Sequence, residues 1–161
     1  LETATLDSNN LELNTETIDV VTLLNDLSRR YKIQYPEKEF NTSLKFEHLE
    51  TKVDSFHFEN ALNNILDNAV KYGGDIISID LIPKEKNFEI LISDNGNTLS
   101  KANKERIFEK FYRVPKGNTH DIKGFGIGLY YTKSIIEKHG GSIDVNLSKN
   151  LTTFKITLPN G

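Results

Sequence analysis

Four asparagines crowd the stretch "ENALNNILDNAVKYG", residues 59–73: Asn60, Asn63, Asn64 and Asn68. Leu62, Ile65, Leu66, Ala69 and Val70 recur at helical spacing and define an apolar face. Asn60, Asn64, Asp67, Asn68 and Lys71 fall on the other side within about 100° of one another. Asparagine costs a few tenths of a kcal/mol or more relative to alanine in a helix, roughly, so Glu or Lys would solvate such a face better. An amide carbonyl is a neutral, hard oxygen donor that suits Mg²⁺, which keeps several waters and takes further oxygens from phosphates. Lys71, one turn beyond Asn68, can meet a phosphate as a point charge. An ordinary polar helix face is the competing explanation of these residues alone.

A second run, "KGFGIGLYYTKSIIEKHGG" (residues 123–141), places Gly124, Gly126 and Gly128 at alternate positions before a helical pattern. Glycines let backbone N–H groups approach an anion, and a helix N-terminus adds unpaired N–H groups and a favourable dipole. A ligand-free hinge is the alternative. The spacing is not the G-x-G-x-x-G of a dinucleotide fold, no strand precedes it, and G-x-x-x-x-G-K-[ST] is absent. Two smaller features join these. "LISDNGN" puts Asp94 where a strand meets a turn, where a buried carboxylate can accept from an adenine amino group. "IFEKFYR" puts Phe108 and Phe111 three apart, able to clamp a loop onto the body, with Arg113 next to reach a phosphate.

The elements that must position these groups read as follows. Ile18–Tyr31 suits an amphipathic helix ended by Pro36, and residues 40–47 and 51–54 suit short strands. Asp54 or Ser55 caps the asparagine helix, which Gly73-Gly74 stops after Tyr72. Residues 76–82 and 88–93 form a hairpin across "PKEKN". Residues 94–124 hold no long element beyond a helical "KANKERIFEKF", and a loop of that length is usually functional. A helix over about 126–139 stops at Gly140, and 142–147 with 152–158 close a final hairpin. Helices and antiparallel pairs predict an α+β two-layer sandwich.

The chain has 161 residues, formal net charge −3 and no cysteine. One domain with a sizeable core is expected. Nothing favours nucleic acid or an acidic membrane surface as a partner, and neither a disulfide framework nor a thiolate metal site is available. No apolar run approaches the roughly 20 residues of a membrane span. The first residue is Leu, and the chain reads as a fragment of a longer protein, with residues 1–14 a linker and 15–161 the domain.

The order of asparagine helix, "DNGN", "IFEKFYRV" and "GFGIGL" resembles the catalytic, ATP-binding domain of bacterial sensor histidine kinases, over about residues 15–159. The resemblance implies the Bergerat fold: a mixed, mostly antiparallel sheet with about three helices on one face and a long ATP lid. It also implies ATP and Mg²⁺ as cofactors. "NNILDNAVKYG" is similar to the N box, which makes Asn68 the Mg²⁺ ligand and Asn64 an accompanying contact, with Lys71 and Tyr72 lining the nucleotide. "DNGN" is similar to the first glycine box, with Asp94 on adenine and Gly96 giving the turn room. Phe108, Phe111 and Arg113 match the F box, and Arg113 becomes a phosphate contact. Gly124, Gly126, Gly128 and the adjoining Leu129 match the second glycine box at the triphosphate. Asn64, Lys71 and Arg113 are the implied catalytic groups. Thr98 departs from the D-x-G-x-G pattern of the first glycine box and bears on lid geometry.

The hydrolases of this fold carry a water-activating Glu four residues before the Mg²⁺ ligand. Asn64 stands there, and an amide cannot act as a general base. Anti-sigma serine kinases normally keep that Glu as well. Phosphoryl transfer is therefore expected, with a nucleotide- or partner-binding signalling module and an ATP hydrolase as alternatives. None of His48, His57, His120 and His139 has the context of an acceptor. The implied partners are a histidine-bearing dimerisation domain and a response regulator, and the implied setting is the cytoplasmic side of a parent protein anchored in the inner membrane.

Overall fold

The computed structural model describes residues 12–96, 99–100, 104, 106–109, 127–148 and 150–160, without the side chains of Ile127 and Gly128. In chain order these hold β1 (Glu16–Asp19), α1 (Val20–Gln34), β2 (Glu39–Leu44), β3 (Glu50–Val53), α2 (Ser55–Tyr72), β4 (Ile76–Pro83), β5 (Asn87–Asp94), α3 (Ile127–Lys138), β6 (Ser142–Ser148) and β7 (Leu151–Pro159). Five strands make one sheet in the order β2-β4-β5-β7-β6. The β2–β4 pair is parallel and the other three are antiparallel.

Alternation decides which sheet face is covered. Ile77, Ile79 and Leu81 on β4, Phe88, Ile90 and Ile92 on β5, and Phe154, Ile156 and Leu158 on β7 are all buried. They meet Leu24 and Leu27 of α1, Leu62, Ile65 and Leu66 of α2, and Leu129 and Ile136 of α3 in one core cluster. Each such side chain contributes roughly 1.5–3 kcal/mol on burial, more than any single cap. Packing therefore selects the layers and capping sets where the helices start. The α+β sandwich with three helices is the architecture that the sequence predicts.

Three local expectations change. Residues 16–19 form a strand that pairs antiparallel with β3 as a separate two-stranded sheet. The first helix consequently begins at Val20, where Asp19 accepts from the Val21 N–H at 3.0 Å, and it runs on to Gln34. β2 ends at Leu44, short of the expected Glu47. Arg106–Glu109 form a turn closed by Glu109 N–H on the Arg106 carbonyl at 2.9 Å. The rest of the helix expected in "KANKERIFEKF" lies mostly outside the described residues.

α2 is fastened from both sides. Tyr31 of α1 donates to Asp67 Oδ1 at 2.7 Å. From α3, Thr132 donates to the Ala61 carbonyl at 3.1 Å and Tyr131 Oη lies 2.8 Å from His57 Nδ1. At the head of α2, Asp54 accepts from the N–H groups of His57 (3.1 Å) and Asn14 (2.8 Å). The Asp54 N–H donates to His139 Nε2 at 2.9 Å, while His139 Nδ1 lies 2.8 Å from the Ile135 carbonyl. His139 thus joins the end of α3 to the start of α2 through both ring nitrogens. Burial alone would raise the Asp54 pKa, but the backbone N–H groups of Asn14 and His57 outweigh it and hold the carboxyl below its ordinary value.

At its far end, α2 stops against the turn that follows β5. A Cβ on Gly96 would lie 2.6 Å from the Gly73 Cα and carbonyl carbon and from the Gly74 nitrogen. One on Gly73 would meet the Ala69 carbonyl at 2.5 Å and the Asp94 carboxylate at 2.6 Å. Asn95 closes this contact, its Oδ1 accepting from the Ile76 N–H at 3.0 Å.

Gly96→Ala is expected to destabilise the domain by about 1–3 kcal/mol, because only backbone can yield. For Gly140→Ala, the added Cβ would make only an ordinary contact, 3.8 Å from Pro159 Cγ, at φ +82°, so conformational strain of about 1–2 kcal/mol is its main cost. Denaturant unfolding, with nucleotide affinity measured alongside, separates the two, because Gly96→Ala alone should also impair affinity. Asp54→Ala should cost about 0.5–2 kcal/mol. Because the folded carboxyl is depressed, that contribution is present above the unfolded value of 3.8 and disappears as pH falls through the folded value. Wild type and variant should therefore converge in stability in acid.

Candidate nucleotide site

The expected site residues gather where the end of α2 meets the end of β5. Asp94 continues the buried phase of β5, two residues beyond Ile92, and is 6% exposed. Its register partner on β7, Thr152, is buried too and donates to the Gly96 carbonyl at 3.4 Å. Asp94 Oδ1 accepts from the Gly96 N–H at 2.8 Å. Burial raises the Asp94 pKa, against the N–H groups of Gly96 and Gly74 and the charge of Lys38, all of which favour the ionised form. The result is a carboxylate with its backbone donors already in place and lone pairs left for one more donor.

Asn68 lies three residues before Lys71 on α2. The helical pattern puts it on the polar side, but the structure buries it, 5% exposed, at the border of the packed face. Its Nδ2 has no hydrogen-bond partner among the described residues. A buried orphan amide costs about 1–3 kcal/mol, and a half-turn of the amide exchanges its nitrogen and oxygen. As placed, the amide offers a donor to a ligand's acceptor atom, and after that half-turn it would offer its carbonyl oxygen to a cation. Asn64 and Tyr72 are half-buried and Lys71 is exposed on the same end of the helix. Among the described residues no cluster of three His, Asp or Glu side chains could hold a metal. A cation here would rely on amide oxygen, water and a ligand's own oxygens.

Phe108 is half-buried and packs edge-to-face on Phe154 of β7, ring centroids 6.3 Å apart, with Lys133 Nζ 5.5 Å from its ring centre. Its neighbour Ile107 is fully buried. The clamp that the spacing suggested is therefore made through Phe108 to the sheet and α3. Leu129 is fully buried in the main core and packs against protein. α3 starts at Ile127, so the glycine-rich stretch runs into a helix N-terminus, with Gly128 in its first turn. Phe111, Arg113, Gly124, Gly126, Thr98 and His120 lie outside the described residues.

Sequence reasoning missed Lys38 and Thr152. Thr152 had a signal, a hydroxyl in phase with Phe154, Ile156 and Leu158 at a strand end. Lys38 had none: it stands in a polar turn and becomes informative only when the fold brings it to Gly74.

The pattern of the histidine kinase-, DNA gyrase B- and HSP90-like ATPases matches residues 53–161. The chain is 41% identical over 111 residues to the sensor protein RprX of Bacteroides fragilis (strain YCH46), a match covering 66% of this chain and 21% of RprX. It is 34% identical over 166 aligned positions to the sensor protein SrrB of Staphylococcus aureus (strain NCTC 8325 / PS 47), covering 99% of this chain and 28% of SrrB. The chain therefore spans under a third of the length of either relative. The catalytic domain of the histidine kinase ThkA shares the fold, with a TM-score of 0.80 at 21% identity over 92% of this chain and 99% of that domain. With the orphan amide of Asn68 and the seated carboxylate of Asp94 on one end of this sandwich, the chain belongs to the histidine kinase-, DNA gyrase B- and HSP90-like ATPase family.

Proposed function

We propose that the domain binds Mg–ATP and passes the γ-phosphoryl group to a histidine on a separate helical domain of a two-component sensor kinase. The observation that carries this is the unpartnered, buried amide of Asn68 on the helix whose end abuts Asp94. One α2 terminus thus offers a metal ligand and a base acceptor. Asp94 accepts from the adenine amino group, and its two backbone donors keep it from turning away. Asn64, Lys71 and Tyr72 line the space between, Lys71 as a point charge on phosphate. Gly124, Gly126, Gly128 and the first N–H groups of α3 face the triphosphate, with Arg113 as a further phosphate contact. Phe108 and Phe111 anchor the base of the lid.

Asn68 would hold Mg²⁺ through its amide oxygen, and the ion would supply charge neutralisation at the phosphate oxygens. The protein's part in such transfer is chiefly positioning and charge stabilisation. In the step, an imidazole nitrogen of the acceptor attacks phosphorus, a P–N bond forms, the bond to the ADP oxygen breaks, and the imidazole proton leaves to a base on the acceptor domain. Asn64 provides no base for water, so loss by hydrolysis is slow.

Residues 1–14 lead from the acceptor domain, and the product phosphohistidine serves a response regulator. ThkA has been seen in complex with the response regulator TrrA, which supports that partner class. No described helix is long and apolar enough to cross a membrane, and the proposed setting is the cytoplasmic side of an anchored parent.

Asn68→Ala should lower transfer on the order of a hundredfold or more with the fold retained, measured as label passing from ATP to a purified acceptor-bearing helical domain. Normal labelling by that variant would overturn the ligand assignment. Wild type should show a larger ATP-induced thermal shift with Mg²⁺ than without, since stabilisation follows RT ln(1 + [L]/Kd). Steady phosphate release from the domain alone would favour a hydrolase, and ATP binding with no labelled histidine would favour a signalling module.

A further inference from the structure

Lys38 lies in the turn before β2, outside every motif that the function absorbs. Its side chain is only 14% exposed. Nζ donates to the Gly74 carbonyl at 3.0 Å and lies 3.8 Å from the carboxylate of Asp75, which is itself 88% exposed. The next residue ties the same turn to the same loop, the Glu39 N–H donating to the Asp75 carbonyl at 2.8 Å. Gly74 is thus held from both sides: its carbonyl, in the peptide to Asp75, accepts from Lys38, and its N–H, in the peptide from Gly73, serves Asp94. Gly74 cannot shift toward the neighbouring turn, where an added Cβ would fall 1.9 Å from Asn95 Oδ1.

We propose that Lys38 is a positioning residue for base recognition: it anchors the carbonyl of Gly74, the residue whose N–H orients Asp94, and supplies a positive charge facing that carboxylate. The inference rests on the reading of Asp94 as the acceptor for an amino-bearing purine. Among the described residues, the elements around Asp94 leave Lys38 this role. α2 ends in the neutral Gly73-Gly74, the turn after β5 offers the Gly96 N–H, and β7 offers the neutral Thr152. Asp75 is the charge on the solvent side of Nζ. An ionised Asp94 only accepts, which suits an adenine amino group. A protonated Asp94 would present its own donor to that amino group. The charge of Lys38 works against the protonation that burial promotes.

The test compares Lys38→Met, Lys38→Gln and Lys38→Arg with wild type and Asp94→Asn. Affinities for Mg–ATP, Mg–GTP and Mg–tripolyphosphate are measured by calorimetry across pH 5–8, with melting curves for each variant. Lys38→Met should weaken ATP about tenfold while leaving tripolyphosphate unchanged, and the acid limb of its ATP affinity should move to higher pH. Lys38→Gln keeps a donor without the charge and should show the same pH movement with a smaller loss at neutral pH. Lys38→Arg should restore wild-type behaviour. If Asp94→Asn weakens ATP but the Met and Gln variants keep both affinity and acid limb, the role of Lys38 is overturned and the adenine reading stands. If Asp94→Asn binds ATP as wild type does, the adenine reading falls and Lys38 with it. A Lys38→Met chain that does not fold leaves the Gln and Arg pair to decide, since a structural role alone would not move the acid limb.

Discussion

The contact on which the site depends is made of backbone. Gly96 sits against Gly73 and Gly74 with no room for a single methyl group, so the end of α2 and the end of β5 are locked in position and angle. Asp94 inherits its orientation from this lock: one carboxylate receives N–H groups from both sides of it. Side-chain contacts can re-pack when a neighbour changes. Two peptide planes in van der Waals contact cannot, which makes the geometry at Asp94 insensitive to most of the surface around it.

α2 is the member that transmits this precision. It runs 18 residues from Asp54 to the glycine lock, and polar contacts from α1 and α3 grip it along the way through Tyr31, Tyr131, Thr132 and His139. Apolar packing alone would hold these helices together but would let them slide by part of a turn. Directional hydrogen bonds suppress that freedom. The relation between Asn68 on α2 and the N-terminus of α3 is fixed mainly by these bonds, none of which touches the proposed ligand.

Much of the architecture could be read directly because its signals are local. The β4–β5 and β6–β7 hairpins follow from alternation and turn residues, and glycines stand just past the ends of α2 and α3. β1 escaped because four residues of "ETID" carry no periodicity, and its partner β3 lies more than thirty residues away. The parallel pairing of β2 with β4 is likewise a long-range choice. At the site, Asp94 was legible as a carboxylate closing an apolar strand, and Asn68 as one amide among several. That Asn68 is the buried one depends on which edge of α2 faces inward, and a 100° wheel does not resolve an edge. Of the three histidines among the described residues, His57 and His139 have structural roles, as joints between helices.

The bond from Asn14 to Asp54 ties the entering chain to the first turn of α2, ahead of any sheet contact. Traction on that chain would therefore load the asparagine-bearing rod end-on, along the line that runs toward the glycine seat. Seated on backbone at one end and gripped along its length, the rod would carry that load without sliding, so strain entering at the doorway would fall on the lateral bonds before it reached the far seat.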